Sequence, residues 1–326
     1  MKQGLLGLVF VGLGLLTSAC AMANDSTARI GVGGLELTKT DHIRMVSEVL
    51  EISTEKIRVT YHFLNTSDEA ITTTVAFPMP AFGDTRFAGD EVHEGPVESF
   101  KASADGKPIH PRVYGVFRID DVDVTDKLRK IGLSDKQIFD ADFSCFIGFD
   151  LVIPPGKKTC ALTQKQEGEI RKLGPVDLGH RTIQETAYWE QTFPAGKEVE
   201  VVHEYKPFVG GRMADGGYLD LGKNRAKDAE ACLDDTTRKA ISGRLARDDV
   251  RSFYVYDVEY ILGTARNWKG PIKNFRLILR KDTPGELVSL CFPGAPVKTS
   301  PTTIEFSQKD FVPQDRLIVY FYDIRE

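Results

Sequence analysis

Between residues 57 and 77 the chain alternates apolar and polar side chains with a period of two, and that pattern restricts it to strands with one buried face. Ile57, Val59, Tyr61 and Phe63 fall on one face, Arg58, Thr60 and His62 on the other; successive side chains of a strand point to opposite sides, so this is a half-buried strand. Asn65-Thr66-Ser67-Asp68-Glu69 forms a polar turn cluster. The chain returns through Ile71, Thr73, Val75 and Phe77 and stops at Pro78-Met79-Pro80, where proline has no N–H to give a ladder. The two runs are expected to pair as a hairpin. A second hairpin is expected where Val97–Ala102 and Ile109–Phe117 flank Asp105-Gly106, which tolerates the positive φ of a tight turn.

The same texture continues to the C-terminus. Val199, Val201, His203 and Tyr205 alternate with Glu198, Glu200 and Glu204, and Tyr254, Tyr256, Val258, Tyr260 and Leu262 fall on one face of a long strand. Further strands are expected at Phe143–Ile153, Asn274–Leu279, Leu287–Cys291, Thr302–Phe306 and Leu317–Tyr322. Helices interrupt them. Ser134…Gln137 and Thr163…Gln166 have the spacing of capping boxes, with Gly132 closing a preceding turn and Gly174 as a stop. A third helix is expected around Asp234–Leu245, capped by Asp234 or Asp235, with Leu233, Ile241 and Leu245 as its apolar stripe. Many short strands, few helices and frequent Gly/Pro turns indicate a mainly β fold of two β-sandwich-like lobes with short inserted helices. The expected lobes are 24–175 and 176–326, joined near Gly174-Pro175.

Residues 1–23 read as a secretory leader. Lys2 precedes an apolar stretch from Leu5 to Leu16, and Ala21-Met22-Ala23 stands just before Asn24-Asp25, a small-x-small cleavage site. The stretch is short for a bilayer span, which needs about 20 apolar residues. Thr17-Ser18-Ala19-Cys20 offers a lipoprotein box instead, but Thr17 stands where that motif carries leucine, so cleavage after Ala23 is the favoured reading. The expected location is periplasmic or secreted. Losing Lys2 with the leader takes the formal net charge from −5 to −6; such a chain lacks the basic face that nucleic acid requires. Cys145, Cys160, Cys232 and Cys291 remain. An even count in an exported chain suggests disulfides. Of three possible pairings the one favoured is Cys232–Cys291 with Cys145–Cys160; zinc would want closer C-x-x-C pairs.

No catalytic, cofactor or metal motif withstands inspection. Gly31-Val32-Gly33-Gly34 lacks the spacing of a dinucleotide loop. Asp121, Asp123 and Thr125 begin like a calcium loop, but Asp126 stands where that loop needs glycine and Gly132 where it needs glutamate. The six histidines form no close ligand pair. His203, on a strand face with Val201 and Tyr205, is the one candidate for a ligand or proton-transfer role against ordinary burial. Trp189 and Trp268 are candidates for a sugar-stacking platform against core packing.

Segments spread over most of the mature chain carry a resemblance. They include Asn24-Asp25-Ser26, Gly33-Gly34-Leu35, Met45-Val46-Ser47-Glu48, Tyr61-His62-Phe63-Leu64-Asn65 and Val75-Ala76-Phe77-Pro78-Met79-Pro80. Later come Tyr188-Trp189, Thr192-Phe193-Pro194-Ala195-Gly196, His203-Glu204-Tyr205-Lys206-Pro207, Tyr260-Ile261-Leu262-Gly263-Thr264, Trp268-Lys269-Gly270-Pro271-Ile272 and Ser289-Leu290-Cys291. In these the chain resembles a family of exported bacterial proteins known only as domain of unknown function 4424. The resemblance implies export and no particular reaction, and Cys232 and Cys291 look like that family's recurrent pair. The leading expectation is therefore a non-enzymatic binding or structural module whose partner is an envelope protein or glycan. The alternative is an envelope hydrolase whose Asp, Glu and His residues converge only in three dimensions.

Overall fold

The computed structural model describes residues 24–31, 34–83, 97, 99–140, 160, 162–173, 181–215, 231–247 and 252–324. Within them the chain is mostly β, with short helices between three sheets. The first sheet contains β1 (Ser26–Gly31), β2 (Gly34–Thr38), β5 (Ile71–Pro78), β6 (Phe82–Gly83), β9 (Arg112–Ile119), β10 (Val122–Asp123) and β11 (Arg181–Phe193). Their order is β10-β9-β11-β5-β1-β2, with β6 also on β11. The second contains β3 (Ile43–Ile52), β4 (Ile57–Asn65), β7 (Lys101–Ala104), β8 (Lys107–Ile109), β12 (Glu198–Tyr205), β15 (Ile272–Arg280), β17 (Val297–Ser300) and β18 (Thr303–Phe311). Their order is β17-β18-β15-β3-β4-β12-β7-β8. The third runs β13 (Val209–Asp215), β14 (Ser252–Ile261), β19 (Arg316–Asp323), β16 (Leu287–Leu290).

The expected hairpin between residues 57 and 77 is not formed. The strands are present as β4 and β5, and β5 ends at Pro78 as the missing donor requires. They lie in different sheets, however: β4 pairs with β3 and β12, while β5 pairs with β11 and β1. Asn65 accounts for the divergence. Its side-chain amide donates to Glu69 O at 2.8 Å and to Phe193 O at 2.9 Å, which pins the connection to the end of β11. From there β5 runs in register along β11, from Ile71 opposite Phe193 to Pro78 opposite Thr186. The second hairpin forms as β7–β8, with Asp105 and Gly106 both at positive φ (48° and 74°); β9 then leaves for the first sheet.

The helices start where the sequence signals place them; the expected stop at Gly174 lies outside the described residues. α1 (Thr125–Ile131) ends at Gly132 in the left-handed conformation, and capping boxes start α2 (Asp135–Ile138) at Ser134 and α3 (Gln164–Arg171) at Thr163. They cover Phe117, Ile119 and Ile183 in a small core of their own. α4 (Asp235–Arg247) is capped by Asp234, whose carboxylate accepts from Thr237 N at 2.6 Å. Ile241, flanked by Leu233 and Leu245, packs on Phe253, Val255, Tyr320 and Tyr322. β14 thus departs from its expected single apolar face: Phe253 and Val255 are buried under α4, whereas Tyr254 is exposed and Val258 and Tyr260 enter the main core on the opposite face. The expected strand at Phe143–Ile153 and the joint at Gly174-Pro175 lie outside the described residues.

One large core joins all three sheets: Val75, Phe77 and Trp189 from the first, Tyr61, Phe63 and Leu277 from the second, and Tyr260, Val319 and Phe321 from the third. The second sheet also draws strands from both sides of residue 175, because β15 pairs in parallel with β3. A disulfide, Cys232–Cys291, fastens the segment before α4 to the residue after β16, with Cα atoms 5.0 Å apart. Cys160 Sγ accepts from Gln137 Nε2 at 3.2 Å; its expected partner Cys145 lies outside the described residues.

Candidate functional site

The three residues singled out from sequence, His203, Trp189 and Trp268, converge, but in the interior. They are 0%, 5% and 3% exposed. β12 aims His203 inward with Val201 and Tyr205, as the alternation requires. Its ring meets Trp189 edge-on at 5.3 Å and Phe77 and Phe100 at 5.0 Å each. Trp268 Nε1 donates to the carbonyl of Asp25 at 2.6 Å, and its ring lies 4.5 Å from Phe63. Neither tryptophan presents an open face, so the stacking platform is not built here.

What they surround is a polar centre made by residues 24–27, every one of them buried. Asn24 Nδ2 donates to both Glu48 oxygens, at 3.2 and 3.1 Å. Its Oδ1 accepts from Asp25 N and from the Tyr61 hydroxyl, and Tyr61 OH lies 2.9 Å from Tyr260 OH. Thr264 Oγ1 donates to Asn24 O, and Asn267 Nδ2 to Ser26 Oγ, from the 3-10 turn Gly263–Asn267. Burial pushes the Glu48 carboxyl up to about 8, against the pull of the Asn24 amide. Burial, with Glu48 beside it, raises Asp25 well above the usual carboxylate range. Burial alone takes His203 down to about 3, so the imidazole is neutral. His203 Nδ1 and Asp25 Oδ1 are 3.7 Å apart, too far for a hydrogen bond. A His–Asp contact therefore exists, but both side chains are fully buried and offer a substrate no surface.

A second feature does open to solvent. A cleft of about 590 Å³ lies where the second and third sheets meet. Thr54 and Glu55 reach it from the β3–β4 turn, Lys206 from the end of β12, Tyr256 from β14 and Asp323 from the end of β19. The β15–β16 connection supplies Asp282, Thr283, Gly285 and Glu286. Among the charged lining residues, Glu55, Asp282, Glu286 and Asp323 face one cation, Lys206. Local bonds shape the wall: Asp282 N donates to Glu286 Oε2 at 2.9 Å, Glu286 N to Thr283 Oγ1 at 3.2 Å, and Thr54 Oγ1 to Asp282 Oδ2 at 3.1 Å. Burial raises Glu286 to about 7; the bond from Asp282 N and the charge of Lys281, whose Nζ donates to Glu286 O at 2.8 Å, oppose this, and the Asp282 and Asp323 charges add to it.

No residue of this cleft was singled out from sequence. Asp282-Thr283-Pro284-Gly285-Glu286 reads as a turn, and its chemistry arises only when a third strand end and a second sheet are brought beside it. Among the described residues no group of three or more His, Cys, Asp or Glu side chains has the geometry to hold a metal. No helix there is long and apolar enough to cross a membrane.

The model of the family described as Domain of unknown function (DUF4424) matches residues 23–320, and the chain belongs to that family. The search of curated proteins gives no match. Among solved structures the chain is similar to one from Legionella pneumophila described as a "putative nutrient binding protein". The identity is 13% and the TM-score 0.44, with 92% of this chain and 70% of the other covered.

Proposed function

We propose that this DUF4424 protein is an exported, non-enzymatic binding module of the cell envelope, and that the cleft between the second and third sheets seats a small ligand carrying an amine. The observation that carries this reading is the lining: four carboxylates against one lysine in an open concavity of about 590 Å³. Carboxylates set close in a partly dry wall favour a cation that can accept several charge-assisted hydrogen bonds. The leader read at residues 1–23 and the Cys232–Cys291 bridge, a cross-link that persists in oxidising compartments, both support export.

Titration calorimetry with matched pairs, such as glucosamine against glucose and a diamine against the diol of equal length, tests the reading. The amines are expected to bind and the neutral partners to bind at least tenfold more weakly. Glu286→Gln and Asp282→Asn are each expected to weaken the amines about tenfold, the loss of one charge-assisted contact. Equal binding of both partners, or amine binding that both variants leave intact, overturns it.

A further inference from the structure

We infer that the buried carboxylates of Glu48 and Asp25 are the seat of a cation that the protein makes for itself: the α-ammonium of Asn24, created when the leader is cut after Ala23.

The centre holds two acids and, among the described residues, no lysine or arginine beside them. Glu48 and Asp25 are both fully buried. Among the described residues the one donor to Glu48 is the neutral amide of Asn24, and neither oxygen of Asp25 accepts a hydrogen bond. Among the described residues no lysine or arginine pairs with either, and His203, 3.7 Å from Asp25, forms no hydrogen bond through either ring nitrogen. A carboxylate withdrawn from water without a partner is among the costliest groups in a protein interior. Two together make an environment that selects a cation.

The geometry says which one. Asn24 is itself fully buried, and its side-chain nitrogen rests on Glu48. Covalent geometry keeps its backbone nitrogen within about 5 Å of that atom. The segment is also held in place: Thr264 donates to Asn24 O, Trp268 to Asp25 O and Asn267 to Ser26 Oγ. Residue 24 is, in addition, the first residue after Ala21-Met22-Ala23. Cleavage adds water across the Ala23–Asn24 bond, leaving a carboxylate on Ala23 and an ammonium on Asn24. A neutral peptide N–H thereby becomes a charged donor beside the two acids. A cut one residue away displaces that charge by up to about 3.6 Å along the chain. Processing then completes the core, and the leader-bearing chain is the less stable form.

This rests on the export reading above and is independent of the cleft. The test compares three forms of the chain: one beginning at Asn24, released from a fusion by a protease that leaves no extra residue; one with Ala-Met-Ala retained in front; and one acetylated on the α-nitrogen of Asn24. The first is expected to melt about 5 °C above the other two, a shift that a charged pair lost from a chain of this size would produce. Glu48→Gln is expected to lower the melting point of the first form and to abolish its advantage. If that variant does not fold, the acetylated form alone decides, since it differs only in the charge and one acetyl group. Equal melting of all three forms overturns the inference, as does N-terminal sequencing of the exported protein that begins at any residue other than Asn24. Amine binding in the cleft, measured on the first form, reports separately on the proposed function.

Discussion

At the scale of single residues, two buried groups carry separable predictions. The Tyr61 hydroxyl bridges Asn24 and Tyr260. Tyr61→Phe keeps the ring that packs on Phe63 and His203 but removes the bridge. Urea unfolding should show a loss of about 1–2 kcal/mol, the value of a buried hydrogen bond whose partners stay behind. Glu286 carries a pH dependence. Its folded-state value is raised from 4.5 to about 7, so the folded protein holds that proton more tightly than the unfolded chain does. Its contribution to stability is therefore fully present below pH 4.5 and lost as pH rises through 7. The melting temperature of Glu286→Gln should fall less than that of the parent across this window. Amine binding should move the opposite way in the parent, strengthening above pH 7 as the carboxylate ionises.

At the scale of elements, the capping signals and the tight Asp105-Gly106 hairpin are local and form as the sequence expects, whereas the β4–β5 pairing does not. Gly132 closes α1 with φ 95°, and its N–H reaches Arg129 O at 2.9 Å. A Cβ there would meet only Gln166 Nε2 at 3.6 Å, so the cost of Gly132→Ala is backbone strain rather than a clash. About 1 kcal/mol is expected, readable as a small shift in the urea midpoint. Ser134 and Thr163 are likewise legible as helix starts, because a cap is satisfied by residues within one turn of it, while between Asp234 and Asp235 the structure chooses Asp234. The β4–β5 hairpin failed for the opposite reason. Alternation told that both segments are strands, and a polar cluster told that the chain turns. The choice of neighbour belonged to Asn65 and Phe193, far apart in sequence.

At the scale of the molecule, one core is closed by distant segments. The parallel β3–β15 pairing joins residues near 50 to residues near 277, and the Cys232–Cys291 bridge, 59 residues apart, ties α4 to the third sheet. Opening that bridge should cost about 4 kcal/mol in the chain-entropy account. Urea titrations of oxidised and reduced protein, or of Cys232→Ser/Cys291→Ser, give that difference directly. An unchanged midpoint would place the constraint elsewhere in the fold.

Alternation, proline stops and capping spacings marked β4, β5, β12, β15 and β19 as strands and the starts of the short helices, since each depends on contacts only a few residues long; β3 and β11 were not legible that way. The inward aim of His203 followed from the same arithmetic of two residues per repeat. Tertiary structure alone decided the rest. It gathered His203, Trp189 and Trp268 around Asn24 and Asp25 inside the core, and it set Asp282 and Glu286 opposite Asp323 in an open cleft. Both arrangements depend on which strand ends meet across sheets, and the free energy that selects them comes from burying one shared core, a quantity no local window of sequence contains.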